Sequence, residues 1–324
     1  MYKSNIYLES FLNSSIKIGT ILLVVLALFL PKPLSAAETL KLATDKHGDF
    51  FWIMGTKIAK TLSDSGIPTE VIISGGCAEN LNLLLNSKAD IALVTAPALN
   101  RYLNEGGEID KFSTITALWP RAIHFLLLDK FIKTGTLNDF HRRRVYLGPK
   151  ESLKRKIVEE VFESMGIKTR RTVMTINELN IVEIMTDYIE QKLIGAVFVD
   201  RVPSPTVESI LSKIGHYYKL IPAGKDVSVH LSGLGKGFFI IEVPEDIYSY
   251  QNEKYITIGI GSYLITRNDL SEETARKLVE AIFDNVDAIE KDFNFGFGLK
   301  KESGANNLVV PLHPGVEEYF KAAP

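Results

Sequence analysis

One cysteine in 324 residues, Cys77, excludes an internal disulfide. No Cys or His stands near it at metal-ligand spacing, so no metal and no cofactor is expected. An excess of one charge sign is also lacking. Lys and Arg number 37 against 39 Asp and Glu, a formal net charge of -2 that gives nothing to steer a nucleic acid. No Ser-His-Asp set, metal cluster or phosphate loop is legible, and no enzymatic activity is expected. Long apolar runs are almost missing. The one present, residues 16–30, falls short of the ~20 residues of a spanning helix. Lys3 and Lys17 precede or open it, and Pro31, Pro33, Ser35, Ala36 and Ala37 follow, which predicts a secretory signal peptide over 1–37 cut after residue 36 or 37. No cysteine marks that junction for lipidation. An uncleaved anchor is the rival reading.

What is present is a regular alternation of strands and helices. Its clearest unit is Ile-Ser-Gly-Gly-Cys-Ala-Glu-Asn-Leu-Asn-Leu-Leu-Leu-Asn-Ser-Lys-Ala-Asp-Ile-Ala, from Ile73 to Ala92. It predicts a strand over 70–73, a glycine turn, a helix over 79–86 with Leu81, Leu84 and Leu85 on one face, and a strand over 90–94. The glycine pair is expected to leave backbone N–H groups at the helix start open to a small anion.

Further strands are expected over 40–43, 115–119, 123–128, 145–147, 173–175 and 196–199, with one long strand over 255–266. Helices are expected over 51–63, 153–165, 181–193, 207–214 (opened by Pro203 and Pro205) and from about 272. Asp269 and Glu272 make the expected capping pair of the last. Repeated strand–helix alternation implies parallel sheets with crossovers. The Phe- and Gly-rich stretch 294–298 reads as a packed loop.

The unit at 73–94 resembles the signature of the TAXI-type solute receptors of TRAP transporters. Ser74, Gly75, Gly76, Glu79, Asn80, Leu81, Leu84, Ala89, Asp90, Ala92, Leu93 and Val94 carry the resemblance. Ala43-Thr44 with Gly48 and Gly55, Leu118-Trp119-Pro120, Val145 and Gly148 with Ser152, Gly195-Ala196 with Phe198, Pro203-Ser204-Pro205 and Pro311-Leu312-His313-Pro314-Gly315 follow in family order. The resemblance implies an α/β, two-lobed periplasmic binding protein of type II (a Venus flytrap), each lobe a β-sheet flanked by helices. Lobe 1 is expected over 38–128 plus 259–324 and lobe 2 over 129–258. It also implies a periplasmic receptor that captures a small anionic solute, of amino-acid or dicarboxylate type, and passes it to a TRAP membrane subunit. A sensor that presents its solute to a membrane signalling protein is the alternative.

Ligands of open α/β sheets bind beyond the carboxyl ends of strands. Three loops qualify: 44–52, 74–80 and 148–154. The candidate ligand-binding residues are therefore Thr44, Lys46, His47, Phe51, Trp52, Gly76, Cys77, Asn80, Thr95, Ser152 and Lys154. Where the resembling family carries Thr-Gly-Ser-Thr-Gly-Gly-Thr-Tyr-Tyr, this chain carries Thr44, Asp45, Lys46, His47, Gly48, Asp49, Phe50, Phe51 and Trp52; where it carries Gly-Ser-Gly-Thr, Glu151, Ser152, Leu153 and Lys154; and where a small Ala-Gly pair is usual, Asp200 and Arg201. Arg201 is the expected carboxylate clamp, because a guanidinium fork matches a carboxylate bidentately. Asp200-Arg201 as a simple ion pair is the competing reading. His313 is expected to be structural.

Overall fold

A computed structural model describes residues 39–148, 152–169, 185, 193–224, 227–293 and 295–321. The expected signal peptide and the strand over 173–175 lie outside the described residues, as does the helix over 181–193 apart from Met185 and Leu193.

The chain runs through β1 (Leu40–Ala43), α1 (Phe50–Asp64), β2 (Thr69–Ile72), α2 (Cys77–Leu85), β3 (Ile91–Thr95), α3 (Ala96–Asn104) and β4 (Phe112–Ala117). It then passes to β5 (Arg121–Leu128), β6 (Val145–Tyr146), α4 (Leu153–Ser164), β7 (Gly195–Asp200), α5 (Pro205–Ile214), β8 (Tyr218–Leu220), α6 (Val227–Leu231), β9 (Phe238–Val243) and β10 (Tyr255–Ile260). It closes with β11 (Ser262–Arg267), α7 (Glu272–Phe283), α8 (Val286–Glu290) and α9 (Pro314–Lys321).

Two sheets result. The first has the order β2-β1-β3-β11-β4, and the second the order β6-β7-β5-β10-β9 with β8 beside β5. In the first, β1 is parallel to β2 and β3, while β11 runs antiparallel between β3 and β4. Strand alternation sends Leu42, Ile91, Leu93 and Leu264 to one face, where they pack on Phe51, Met54, Ile58 and Leu62 of α1 and on Ala275, Leu278, Val279 and Ile282 of α7. Ala43, Ala92, Val94 and Ile265 face the other way, into a core that holds Leu81 and Leu84 of α2 and Leu99 of α3 and continues to the second sheet. There α4 contributes Ile157, Val158, Val161 and Phe162, and Phe125, Phe140 and Phe162 stack at 5.6–6.0 Å between centroids.

The crossings between sheets differ from expectation. Residues 123–128, expected in lobe 1, belong to the second sheet, because β5 pairs with β7, β8 and β10. The expected long strand over 255–266 is two strands in two sheets, broken at Gly261. A side chain there would collide with the Tyr263 hydroxyl, and the Gly261 amide and carbonyl are taken by Gly237 O and Ala96 N at 2.8 and 2.9 Å. In a run otherwise rich in β-branched and aromatic residues, Gly259, Gly261 and Ser262 are the local sign of the break. Residues 118–120 make the other crossing, and the two lie side by side, since Arg121 opposes Ile260 and Ala117 opposes Tyr263.

Smaller corrections follow the same pattern. Strands β8 and β9 stand where sequence predicts none. The cap of α7 is Ser271, whose Oγ accepts from Thr274 N at 3.1 Å, while Asp269 pairs with Arg267 at 2.9 Å. The expected continuous helix from 272 stops at Phe283 and restarts as α8.

Candidate functional site

Between the sheets lies a cleft of about 730 Å³. Its walls come from the loop after β1 (Asp45, Lys46, Asp49), the turn before α2 and its first residues (Gly75, Gly76, Cys77, Ala78, Leu81, Asn82), and Thr95 at the end of β3. Ala98, Arg101, Tyr102 and Glu105 of α3 and its exit complete that side. Opposite stand Ser152, Leu153, Lys154 and Ile157 at the start of α4, with Arg121, Val199 and Ile260 from β5, β7 and β10. All the strand residues are at ends, where backbone pairing gives way to loops and side chains are released toward a ligand.

Of the residues expected from sequence, Lys46, Gly76, Cys77, Thr95, Ser152 and Lys154 line this cleft. Ser152 also caps α4, its Oγ accepting from Arg155 N at 3.2 Å. Cys77 Sγ is 3.8 Å from Thr95 Oγ1. Loss of solvent, with Asp45 nearby, pushes the Cys77 thiol up, so it stays protonated.

Thr44, Asn80 and Phe51 are supports rather than walls. Thr44 is fully buried, its Oγ1 3.2 Å from Ile72 O. Asn80 is equally buried, its Nδ2 donating to Leu93 O at 2.8 Å while its Oδ1 lies 2.6 Å from Ser74 Oγ. Phe51 is core, as is its neighbourhood on α1. His47 and Trp52 stack on each other at 4.0 Å, off the cleft wall.

Two expectations are corrected. Arg201 is not in the cleft: its guanidinium sits 5.7 and 5.4 Å from the rings of Phe50 and Phe293, and its backbone N–H, rather than its side chain, meets Asp200 Oδ1 at 2.8 Å. The glycine turn does not present open amides either. Gly75 N–H donates to Glu79 Oε2 at 2.6 Å and Gly76 N–H to Ser74 Oγ at 3.0 Å. A carboxylate of the chain itself already occupies the place an anion was expected to take. Gly76 itself adopts φ 122°, open to glycine and strained for other residues.

Sequence reasoning missed Arg121, Asp45, Asp49, Arg101 and Glu105. Arg121 was detectable in principle: it is the one charged residue heading the otherwise apolar strand β5, directly after Leu118-Trp119-Pro120. Its guanidinium carbon lies 4.7 Å from the Phe51 ring. Although Arg121 belongs to the second sheet, it thus rests on a helix of the first. Its Nε is buried and has no hydrogen-bond partner among the described residues. Leaving such a donor unmet costs on the order of 1–3 kcal/mol. No carboxylate among the described residues forms an ion pair with it, although Asp45 is near enough to feel its field. Asp45 itself is held above the usual carboxylate range, first by loss of solvent and only partly offset by Arg121. Among the described residues no group of His, Cys, Asp and Glu is placed to hold a metal ion, and no helix is long and apolar enough to cross a membrane.

Two sheets flanked by helices, joined by two adjacent crossings and enclosing a charged cleft, make up the two-sheet α/β fold known from type II periplasmic binding proteins. The chain belongs to the NMT1-like family, whose sequence profile matches residues 42–323. Among solved structures it is similar to XAC2383 from Xanthomonas citri bound to ATP, at 8% identity over 87% of this chain and 94% of that one, with a TM-score of 0.50. A putative L-cystine ABC transporter protein from Listeria monocytogenes matches at 12% identity over 78% and 93%, TM-score 0.41. A structure from work on glutathione import by GshT of Streptococcus mutans matches at 12% over 82% and 98%, TM-score 0.45. Among curated proteins none matches by sequence.

Proposed function

We propose that this protein is the periplasmic solute receptor of a TRAP-type transporter of the TAXI kind, exported by its signal peptide, and that its solute is a small anion of amino-acid or dicarboxylate type. It acts by binding and delivery, without chemistry on the solute. The observation that carries this reading is the cleft: about 730 Å³, walled from both sheets, and set at strand ends beside the two crossings. That volume suits a metabolite-sized ligand. A solute touching both walls favours the closed arrangement by its extra contacts there. The ordered motifs from Ser74 to Val94 and at Pro311 to Gly315 support the TAXI assignment.

Thermal denaturation with a panel of amino acids, dicarboxylates and neutral solutes tests it. Binding to the folded state alone stabilises by RT ln(1 + [L]/Kd), about 2.7 kcal/mol at a hundredfold excess over Kd. A receptor shows a clear rise with a narrow chemical class; a flat response across the panel overturns the reading. Mass spectrometry of the periplasmic fraction checks export, with a chain beginning at residue 37 or 38 as the expected result.

A further inference from the structure

We propose that Arg121 is the residue that anchors the solute's carboxylate, taking it on the Nε edge of a guanidinium that the fold holds ready at the crossing between the sheets. The inference rests on the solute-receptor reading above and adds to it the residue that selects the ligand's charge.

Four observations converge on this residue. Arg121 lines the cleft. Its Nε is buried without an acceptor among the described residues, in a chain whose other buried polar side chains are mostly satisfied. Its guanidinium carbon lies over the Phe51 ring, 4.7 Å from the centroid, a contact that restrains the side chain before a ligand arrives. And it opens β5 opposite Ile260, beside both crossings between the sheets, so an anion bound to it lies next to the two chain segments that join the walls.

The other cations of the cleft do not combine these properties. Lys46 is on an exposed loop, and a lysine ammonium is a strongly hydrated point charge on a flexible stem. Lys154, at the start of α4, is a second such ammonium, and Arg101 belongs to α3 of one wall rather than to a strand at the crossings. A fork held against a ring and with its Nε already out of water loses little freedom when an anion docks, and a carboxylate is planar and offers two oxygens to the Nε–H and one terminal N–H. The glycine turn before α2 cannot compete for that anion, since Glu79 and Ser74 have taken its amides.

The test is titration calorimetry on wild type, Arg121→Gln and Arg121→Lys, with succinate and L-glutamate as probes, each set against its diamide. Thermal melts of the free proteins establish that both variants fold, and Arg121→Lys retains the charge if Arg121→Gln does not fold. The expected result is that wild type binds at least one of the carboxylates and not its diamide. Arg121→Gln then weakens that carboxylate about 30-fold or more, and Arg121→Lys recovers only part of the loss because it lacks the fork. Folded variants that bind the carboxylate within about twofold of wild type overturn the role of Arg121 and leave the receptor reading intact. Wild type that ignores both carboxylates yet binds a neutral solute of the panel also overturns the anchor alone. A protein that binds no solute at all fails the receptor reading and this inference together.

Discussion

The indole Nε1 of Trp119 donates to Glu290 Oε1 at 2.6 Å, and the same oxygen accepts from Leu299 N, also at 2.6 Å. Trp119 is 1% exposed and stacks on Phe295 at 5.5 Å. One carboxylate oxygen therefore ties the crossing at 118–120 to α8 and to the loop beyond it. Glu290→Ala strands two donors and is expected to cost ~2–4 kcal/mol, while Glu290→Gln, which keeps the carbonyl acceptor, costs less than half as much. Urea denaturation gives both numbers. An alanine variant as stable as wild type would refute the tie.

Arg201 packs on Phe50 and Phe293 and lies off the cleft wall. Arg201→Ala is accordingly expected to leave solute affinity within about twofold, a change of ~0.4 kcal/mol. Its effect falls on stability, by the ~0.5–2 kcal/mol of its ring contacts. Calorimetry beside a melt of the same preparation separates the two, and a large affinity loss with unchanged stability would return Arg201 to the binding site.

Asp45 is held above its usual carboxylate range by burial, so its charged form is disfavoured in the folded protein. The sign follows: at neutral pH the charged group costs stability, and the cost disappears as pH falls through the raised pKa toward the ordinary value of 3.8. Arg121, Asp49, Lys154 and Lys46 face it and set the size of the effect. Asp45→Asn should melt higher than wild type at pH 7, with the gap closing as the solution is acidified through the raised pKa toward 3.8. An asparagine variant that is less stable than wild type at pH 7 contradicts this.

Gly55 lies on α1 where a Cβ would overlap Thr44 Cγ2 and stand 3.3 Å from Leu93 Cδ1. Gly55→Ala gains up to ~1 kcal/mol of helix propensity but must push α1 off the sheet, at ~1–3 kcal/mol. A net loss of stability is expected, together with weaker solute binding, because Thr44 supports the loop that carries Asp45 and Lys46. Equal or higher stability would show that α1 can shift freely.

The burial pattern explains which parts of this molecule are legible in its sequence. Helices α1, α4 and α5 follow expectation closely because each buries one stripe and exposes the other, which a 3.6-residue period reports directly. The sheet membership of β5 was hidden for the opposite reason: buried on both faces, it reads as apolar whichever sheet it joins. The break at Gly261 has only Gly259, Gly261 and Ser262 as its local sign, and it was overridden because both neighbours stay buried, in different sheets. In the site, Lys46, Cys77, Thr95, Ser152 and Lys154 were found from their place after strands. Arg201 fits a carboxylate by its chemistry, but its side chain leads to Phe50 and Phe293, about 150 and 90 residues away in sequence, contacts that no local pattern reveals. Arg121 escaped because its signal was one charge in front of an apolar strand.

Strand β11 fills the gap between β3 and β4, and it lies beyond residue 260. A chain that emerges from its amino end therefore holds β1 to β3 and β4 as separate pieces with exposed edges until the last fifth of the sequence appears. The second sheet needs only residues 121–260, one continuous stretch. Its closure entropy is smaller, so it is the half that forms first. The unpaired edges of β3 and β4 in the meantime are where a partly emerged chain would stick to its own copies, and where a chaperone gains most by holding on.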